Sequence, residues 1–419
     1  MEPNPHSPRS GRRLLVVADA DSYLKWAVTR AREAQGSWDV ELVLVDSAVT
    51  PSKEQVEAAV GGRWLAPEPM SFADLERRLA SDPPDSLLLA CRGPLIELVV
   101  GTLSRARGAS PVTVSGIPGI WMPPTALGVR LRTGTDLMVV HSRRERRAAA
   151  ALARTEGGPR EFALAGLANL AGLAGLDGAP DTAGRAPLTT IVFAPQALVP
   201  VAAKHREAIV TALARVARAH PELTVVIKER GRAGEEQTHR DRQPFPRILD
   251  SLEDAPGNLV VGYGPMSDYL EPGTALVTVS STAVLEAIAS GVPALCLDDF
   301  GVDVENINLV FEGSGLLGSL DDLERLDFRL PRAEWLDDNY FHDPAANDWL
   351  EALARVVDAG EWASTGGPQR GGQGGLDAVR RTARRRMALA SRDTWWRRPV
   401  TWTAAAVGVG LRAWDRHRP

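Results

Sequence analysis

The stretch 275–293, ALVTVSSTAVLEAIASGVP, sets three hydroxyls in a row, Ser280, Ser281 and Thr282, and a carboxylate, Glu286, four residues beyond the last of them. Leu276–Val279 is an apolar run of strand type, the hydroxyls fall where a helix N-cap belongs, and 283–290 continues as a helix. A helix starting there turns its first N–H groups and the positive end of its dipole toward a phosphate. Glu286, one turn deeper on the same face, is placed to accept both hydroxyls of a ribose. Gly291 and Pro293 stop the helix before the apolar strand Ala294–Leu297. A strand-to-helix unit capped for stability alone has the same pattern, so spacing by itself leaves ligand binding open.

Other groups capable of chemistry stand at strand ends. Asp19 and Asp21 follow the run Leu14–Ala18, where a carboxylate can act as general base, hold a divalent metal, or cap the next helix. His141 ends Asp136–Val140; a neutral imidazole there can serve as base, or be a hydrogen-bonded structural histidine. Lys228 closes the strand Leu223–Lys228, and Arg230 follows it; an arginine holds a phosphate but cannot protonate a leaving group near neutral pH. Gln196 follows the strand Thr189–Ala194, and His239 lies in an Arg-rich loop, 230–247. Cys91 and Cys296 end apolar runs and read as reduced structural thiols, and no Cys or His cluster has metal-ligand spacing, so neither a metal nor a bound cofactor is expected. Gly262-Tyr263-Gly264 lacks the third glycine of a dinucleotide fingerprint.

The elements that must position these groups alternate between strand and helix. Strands are expected at Leu14–Ala18, Val40–Val45, Ser86–Ala90, Val112–Ser115 and Asp136–Val140, with helices at Ser22–Gln35, Phe72–Ala80, Leu95–Arg107 and Arg143–Arg154. A low-complexity Leu-Ala-Gly segment at 163–187 interrupts the pattern. It resumes with strands at Thr189–Ala194, Leu223–Lys228 and Leu259–Val261, and helices at Val201–Ala219 and Phe245–Leu252. With 419 residues, 44% of them hydrophobic, the chain can form two cores. The expected fold is α/β, two doubly wound Rossmann-like domains at 12–162 and 188–343, joined by a linker at 163–187. A helix at 344–362 returns to the first domain, a Gly-rich linker spans 363–375, and a basic helical tail rich in Trp spans 376–419.

Charge is distributed unevenly. The formal net charge is −5, but residues 366–419 hold 12 Arg against 3 Asp, net +9, which leaves −14 on the remainder. The tail also carries Trp395, Trp396, Trp402 and Trp414, a composition that suits an anionic membrane surface. After Pro399 the stripe Val400, Ala404, Val407, Leu411 and Trp414 follows helical spacing, too short to span a bilayer; packing back on the protein is the alternative. The acidic remainder argues against a nucleic-acid partner. A Pro- and Arg-rich start without a secretory pattern, and the lack of an apolar run of about 18 residues, predict a cytoplasmic protein, peripheral on the inner face of the membrane.

The order Ser-Ser-Thr-x-x-x-Glu-Ala-x-x-x-Gly-x-Pro from Ser280 to Pro293 resembles the donor-nucleotide motif in the second domain of GT-B glycosyltransferases. It is most similar to the branch of bacterial polysialyltransferases, capsule Kdo transferases and teichoic-acid glycerophosphotransferases. The resemblance implies two doubly wound domains with a cleft between them, the acceptor on the first and the nucleotide-sugar donor on the second. It also implies donor binding by Ser280, Ser281, Thr282, Glu286, Lys228, Arg230 and Gln196, and acceptor activation by Asp21, Asp19 or His141. The partners it implies are a nucleotide sugar and a glycan or lipid-linked acceptor of the cell envelope. In the resembling enzymes the strand ending at Lys228 continues as Lys-x-His-Pro; here Arg230-Gly231 replaces His-Pro. Two further readings share part of the pattern: a non-hydrolysing nucleotide-sugar epimerase, and a catalytically silent GT-B scaffold. Asp19 and Asp21 also resemble the nucleophile and acid of haloacid-dehalogenase phosphatases, but the lysine those enzymes need between Ser280 and Asp298 is missing.

Overall fold

The computed structural model describes residues 11–360, except 48, 63, 106–109, 169, 171–185, 197–198 and 230–243, together with 385, 388 and 389. Arg230, His239 and nearly all of the basic tail therefore lie outside the described residues. The chain divides into two compact units. One holds residues up to 141, 145–168 and those from 344 onward, and the other holds 142–144 and 169–343.

The first unit is built on seven parallel strands: β1 (Arg13–Ala18), β2 (Asp39–Val45), β3 (Pro69–Met70), β4 (Ser86–Ala90), β5 (Val112–Gly116), β6 (Leu137–Val140) and β7 (Glu161–Leu164), in the order β3-β2-β1-β4-β5-β6-β7. The second has six: β8 (Thr190–Phe193), β9 (Thr224–Lys228), β10 (Leu259–Gly262), β11 (Thr274–Thr278), β12 (Ala294–Leu297) and β13 (Leu317–Gly318), in the order β10-β9-β8-β11-β12-β13. Unbroken apolar runs make such strands because both faces of a parallel sheet are covered. In β1, Leu14, Val16 and Ala18 enter one core and Leu15 and Val17 the other, so alternate residues serve opposite helix layers.

The first layer is completed from far along the chain. The helix Trp349–Ala359 buries Trp349, Ala352 and Leu353 in the core that holds Leu14 and Val16. Burying the Leu353 side chain contributes about 1.5–3 kcal/mol by removing it from water. Asp348 locks the helix start: it accepts from the Leu164 amide at 2.6 Å and pairs with Arg146 at 2.7 Å. On the opposite core, Ala388 and Leu389 of the tail are buried, and Arg385 lies over the Phe72 ring.

Several short elements lie outside the patterning, β7 and the helix Lys53–Val60 among them. β7 runs across residue 163, where composition places the start of the linker; only four residues long, it is visible chiefly through its pairing with β6. The helix Lys53–Val60 has just two buried apolar residues, Val56 and Val60, too few for a clear period. Its signals are local ones, a capping box between Ser52 and Gln55 and a left-handed Gly61 at its end. Among the described residues no helix is long and apolar enough to cross a membrane.

Candidate functional site

In the second sheet the strand order reverses between β8 and β11, the point where open α/β sheets bind ligands beyond their carboxyl ends. Three adjacent strands deliver the candidate residues there: Lys228 ends β9, Gln196 lies three residues past β8, and Ser280, Ser281 and Thr282 follow β11. The two central turns are stitched together. Thr278 Oγ1 donates to the Ala194 carbonyl at 2.7 Å and accepts the Ser281 N–H at 3.1 Å, while the Gln196 side-chain amide donates to the Ser280 carbonyl. Thr278 was not singled out by sequence; its signal is a hydroxyl closing a run that is otherwise apolar and fully buried.

Within the turn the hydroxyls differ. Ser280 is 4% exposed and its Oγ is buried with no hydrogen-bond partner, an arrangement that ordinarily costs about 1–3 kcal/mol. Ser281 Oγ accepts the Ala283 N–H at 3.3 Å. Thr282, expected to cap the helix, sits at its start but is exposed and makes no capping bond. Its backbone is already helical, with φ −61° and ψ −15°, whereas a capping side chain needs extended backbone to reach the next amides. The helix Ala283–Ala289 is short, so side chains rather than a macrodipole must supply most of the attraction for an anion. Gly291, at φ +69°, ends it.

Glu286 is half-buried on this helix. Burial raises its carboxyl above the ordinary glutamate range, and the positive charge of Lys228 pulls it back down. Lys228 is itself only 8% exposed. A cation, an unpartnered hydroxyl and a carboxylate thus come from β9, the turn after β11 and the helix that follows it. The arrangement can hold a phosphate at Lys228 and Ser280 and a diol at Glu286. Among the described residues no cluster of His, Cys, Asp and Glu is arranged to hold a metal ion.

The first unit treats its candidates differently. Asp19 is fully buried; Oδ1 accepts the Arg92 backbone N–H at 3.0 Å and Oδ2 accepts Arg92 Nε at 2.9 Å. Burial raises its carboxyl, and Arg92 opposes that shift. The pair ties the ends of β1 and β4 at this sheet's own reversal point, and it engages both carboxylate oxygens of Asp19. Arg92 also donates through Nη2 to the Ala388 carbonyl at 3.1 Å. His141 is engaged in the same way. The indole N–H of Trp26 lies 2.9 Å from its Nε2, which is also 3.1 Å from the Ile117 carbonyl, and Nδ1 is 3.0 Å from the Ala165 carbonyl, so both ring nitrogens have partners. Trp26 lies so close to Gly116 that a Cβ there would come within 2.5 Å of the ring. Asp21 remains accessible, one-third exposed, with Oδ2 paired to Lys25 at 2.7 Å and Oδ1 lacking a hydrogen-bond partner. Asp19 and Ser280 belong to different sheets, so they do not form the dehalogenase-type site that a shared sheet would require.

Asp19→Ala is expected to lower stability by about 3 kcal/mol, because it strands Arg92 at a buried reversal point. The urea midpoint reads this, with donor-dependent turnover per folded molecule unchanged. A variant that melts like the wild type but has lost turnover would identify Asp19 as the base.

Solved structures share this architecture. The UDP-GlcNAc 2-epimerase of Methanocaldococcus jannaschii superposes with a TM-score of 0.53 at 12% identity, covering 83% of this chain and 99% of its own. The S. aureus MnaA–UDP co-structure gives 0.50 at 12% identity, with 86% and 100% covered. The Neisseria meningitidis UDP-GlcNAc 2-epimerase bound to UDP-GlcNAc gives 0.50 at 11%, with 83% and 99% covered. At these identities the likeness concerns the fold, and the fold is the two-domain α/β arrangement called GT-B. No curated protein matches the sequence. Residues 14–356 match the family described as "Putative glycosyltransferase (DUF6716)", and the chain belongs to that family.

Proposed function

We propose that the protein transfers a sugar, or a related phospho-polyol unit, from a nucleotide donor to a cell-envelope polysaccharide or lipid-linked acceptor, as the polysialyl, capsule and teichoic-acid branch does. The observation that carries this reading is the buried, unpartnered hydroxyl of Ser280 at the β8/β11 reversal, on the turn leading to the helix of Glu286, whose carboxyl feels the charge of Lys228. Membership of the family and the GT-B fold support it. Lys228 and Ser280 receive the donor phosphates, Glu286 the ribose, and Ser281 and Gln196 keep the turn in shape. The charge growing on the departing phosphate is met by the buried ammonium of Lys228, which gives a metal-independent route. Asp21 takes the acceptor proton. The similar folds that hold UDP or UDP-GlcNAc make a uridine donor the first choice.

The test is a thermal-shift panel of CMP, CDP, UDP, GDP and ADP on the full chain, with Glu286→Ala as control. A shift with one nucleotide, lost in the variant, is the expected result. No shift with any nucleotide would sink the donor reading and favour a silent scaffold. Conversion of the sugar nucleotide with no acceptor present would favour an epimerase.

We place the enzyme in the cytoplasm, peripheral on the inner face of the membrane, through the basic, Trp-rich end of the chain. Removing residues 391–419, which spares the buried Ala388 and Leu389, is expected to abolish co-sedimentation with anionic vesicles. Undiminished co-sedimentation would end the proposal.

A further inference from the structure

We propose that Arg206 is the positioning residue of the donor site: a buried guanidinium that fixes the loop after β8 and, through Gln196, the Ser280 turn. The inference rests on the donor reading only for its effect on nucleotide binding. The geometry of the clamp is independent of it.

Arg206 is the fourth residue of the helix Ala203–Ala219 and is 3% exposed. Its Nε donates to the Pro200 carbonyl at 2.8 Å, and its Nη2 to the Gln196 carbonyl at 3.3 Å. One planar group thereby holds two carbonyls of the loop that leaves β8, a fork that only arginine presents. The guanidinium lies over the Phe245 ring, 5.0 Å from its centre, and Phe245 meets Phe193 of β8 edge-on, also at 5.0 Å. The loop is pinned below by Val199, 2% exposed in the second core. The side-chain amide of Gln196 is in turn the group that grips the Ser280 carbonyl.

The chain of contacts therefore runs from Phe193 and Phe245 to Arg206, from Arg206 to Gln196, and from Gln196 to the turn bearing the unpartnered Ser280 hydroxyl. Thr278 supplies a second tie, from the same turn to Ala194. A site that must present a hydroxyl and a carboxylate within about 0.5 Å of working geometry needs such support behind it. Arg206 touches no phosphate in this scheme; it acts by holding Gln196.

The experiment uses the full-length chain and three variants: Arg206→Lys, Gln196→Ala and the double substitution. Lysine keeps the charge and most of the stem, so folding survives where alanine could fail, but it cannot hold both carbonyls in one plane. Hydrogen–deuterium exchange without ligand should show faster exchange in peptides covering 278–284 in Arg206→Lys, with 209–217 of the adjoining helix unchanged. Titration with UDP should show about tenfold weaker binding in Arg206→Lys, and the double variant no weaker than the weaker single variant, since both act through one contact. Unchanged exchange at 278–284, or additive losses of UDP affinity, would overturn the proposal. Altered exchange in a protein whose wild type binds none of the nucleotides would uphold Arg206 as the clamp and remove the donor reading instead.

Discussion

Lys228→Ala is expected to lower kcat/KM for donor transfer by about 10²–10³-fold, the usual effect of removing a preorganised group that meets charge in the transition state. Lys228 is the charged residue of the site closed off from water, at 8% exposure, and its field is therefore little screened. Because that charge grows as the bond to the departing phosphate breaks, most of the loss should fall on kcat. Steady-state kinetics with the donor picked out by the nucleotide panel measures it, and Lys228→Arg separates charge from shape. A kcat/KM within about twofold of wild type in Lys228→Ala would take the residue out of the mechanism. The same variant also tests the pairing with Glu286, whose carboxyl should move still higher once the neighbouring cation is gone.

Glu286→Ala should weaken binding of the preferred nucleotide by about 10²–10⁴-fold, since hydrogen bonds to a charged group are worth about 1.5–3 kcal/mol and the diol offers two of them. The matching 2′-deoxynucleotide should bind wild type less well and the variant equally well, which distinguishes lost ribose contacts from a disturbed helix. The pH dependence follows from the raised carboxyl. Only the ionised form accepts both hydroxyls, so affinity should fall as pH drops through the Glu286 pKa, which lies above that of an ordinary glutamate. Stability of the free protein moves the other way. A carboxylate whose folded pKa is raised costs stability above that value, and the cost is relieved as pH falls through it. Glu286→Gln should abolish both trends; affinity that keeps its pH dependence in Glu286→Gln would assign the titration to another group.

Much of this organisation can be read in the sequence alone. The apolar runs of β1, β4, β8 and β11 mark buried parallel strands because a sheet covered on both faces has no polar side, and that is a local property. The spacing of Thr282, Glu286 and Gly291 is equally local, since one helical turn relates the first two and a left-handed residue must end the helix. β7 and the helix Lys53–Val60 escaped because four residues, or two apolar positions, carry too little period to register. Which strands become neighbours is another matter. Gln196 and Ser280 are 84 residues apart and meet only because β11 returns to lie beside β8. The same is true of Asp19 with Arg92, and of His141 with Trp26, whose contacts engage two of the candidate bases. Residue type and local pattern determined what each candidate is able to do; burial and distant partners, which no local pattern encodes, decided which of them is left in a position to do it.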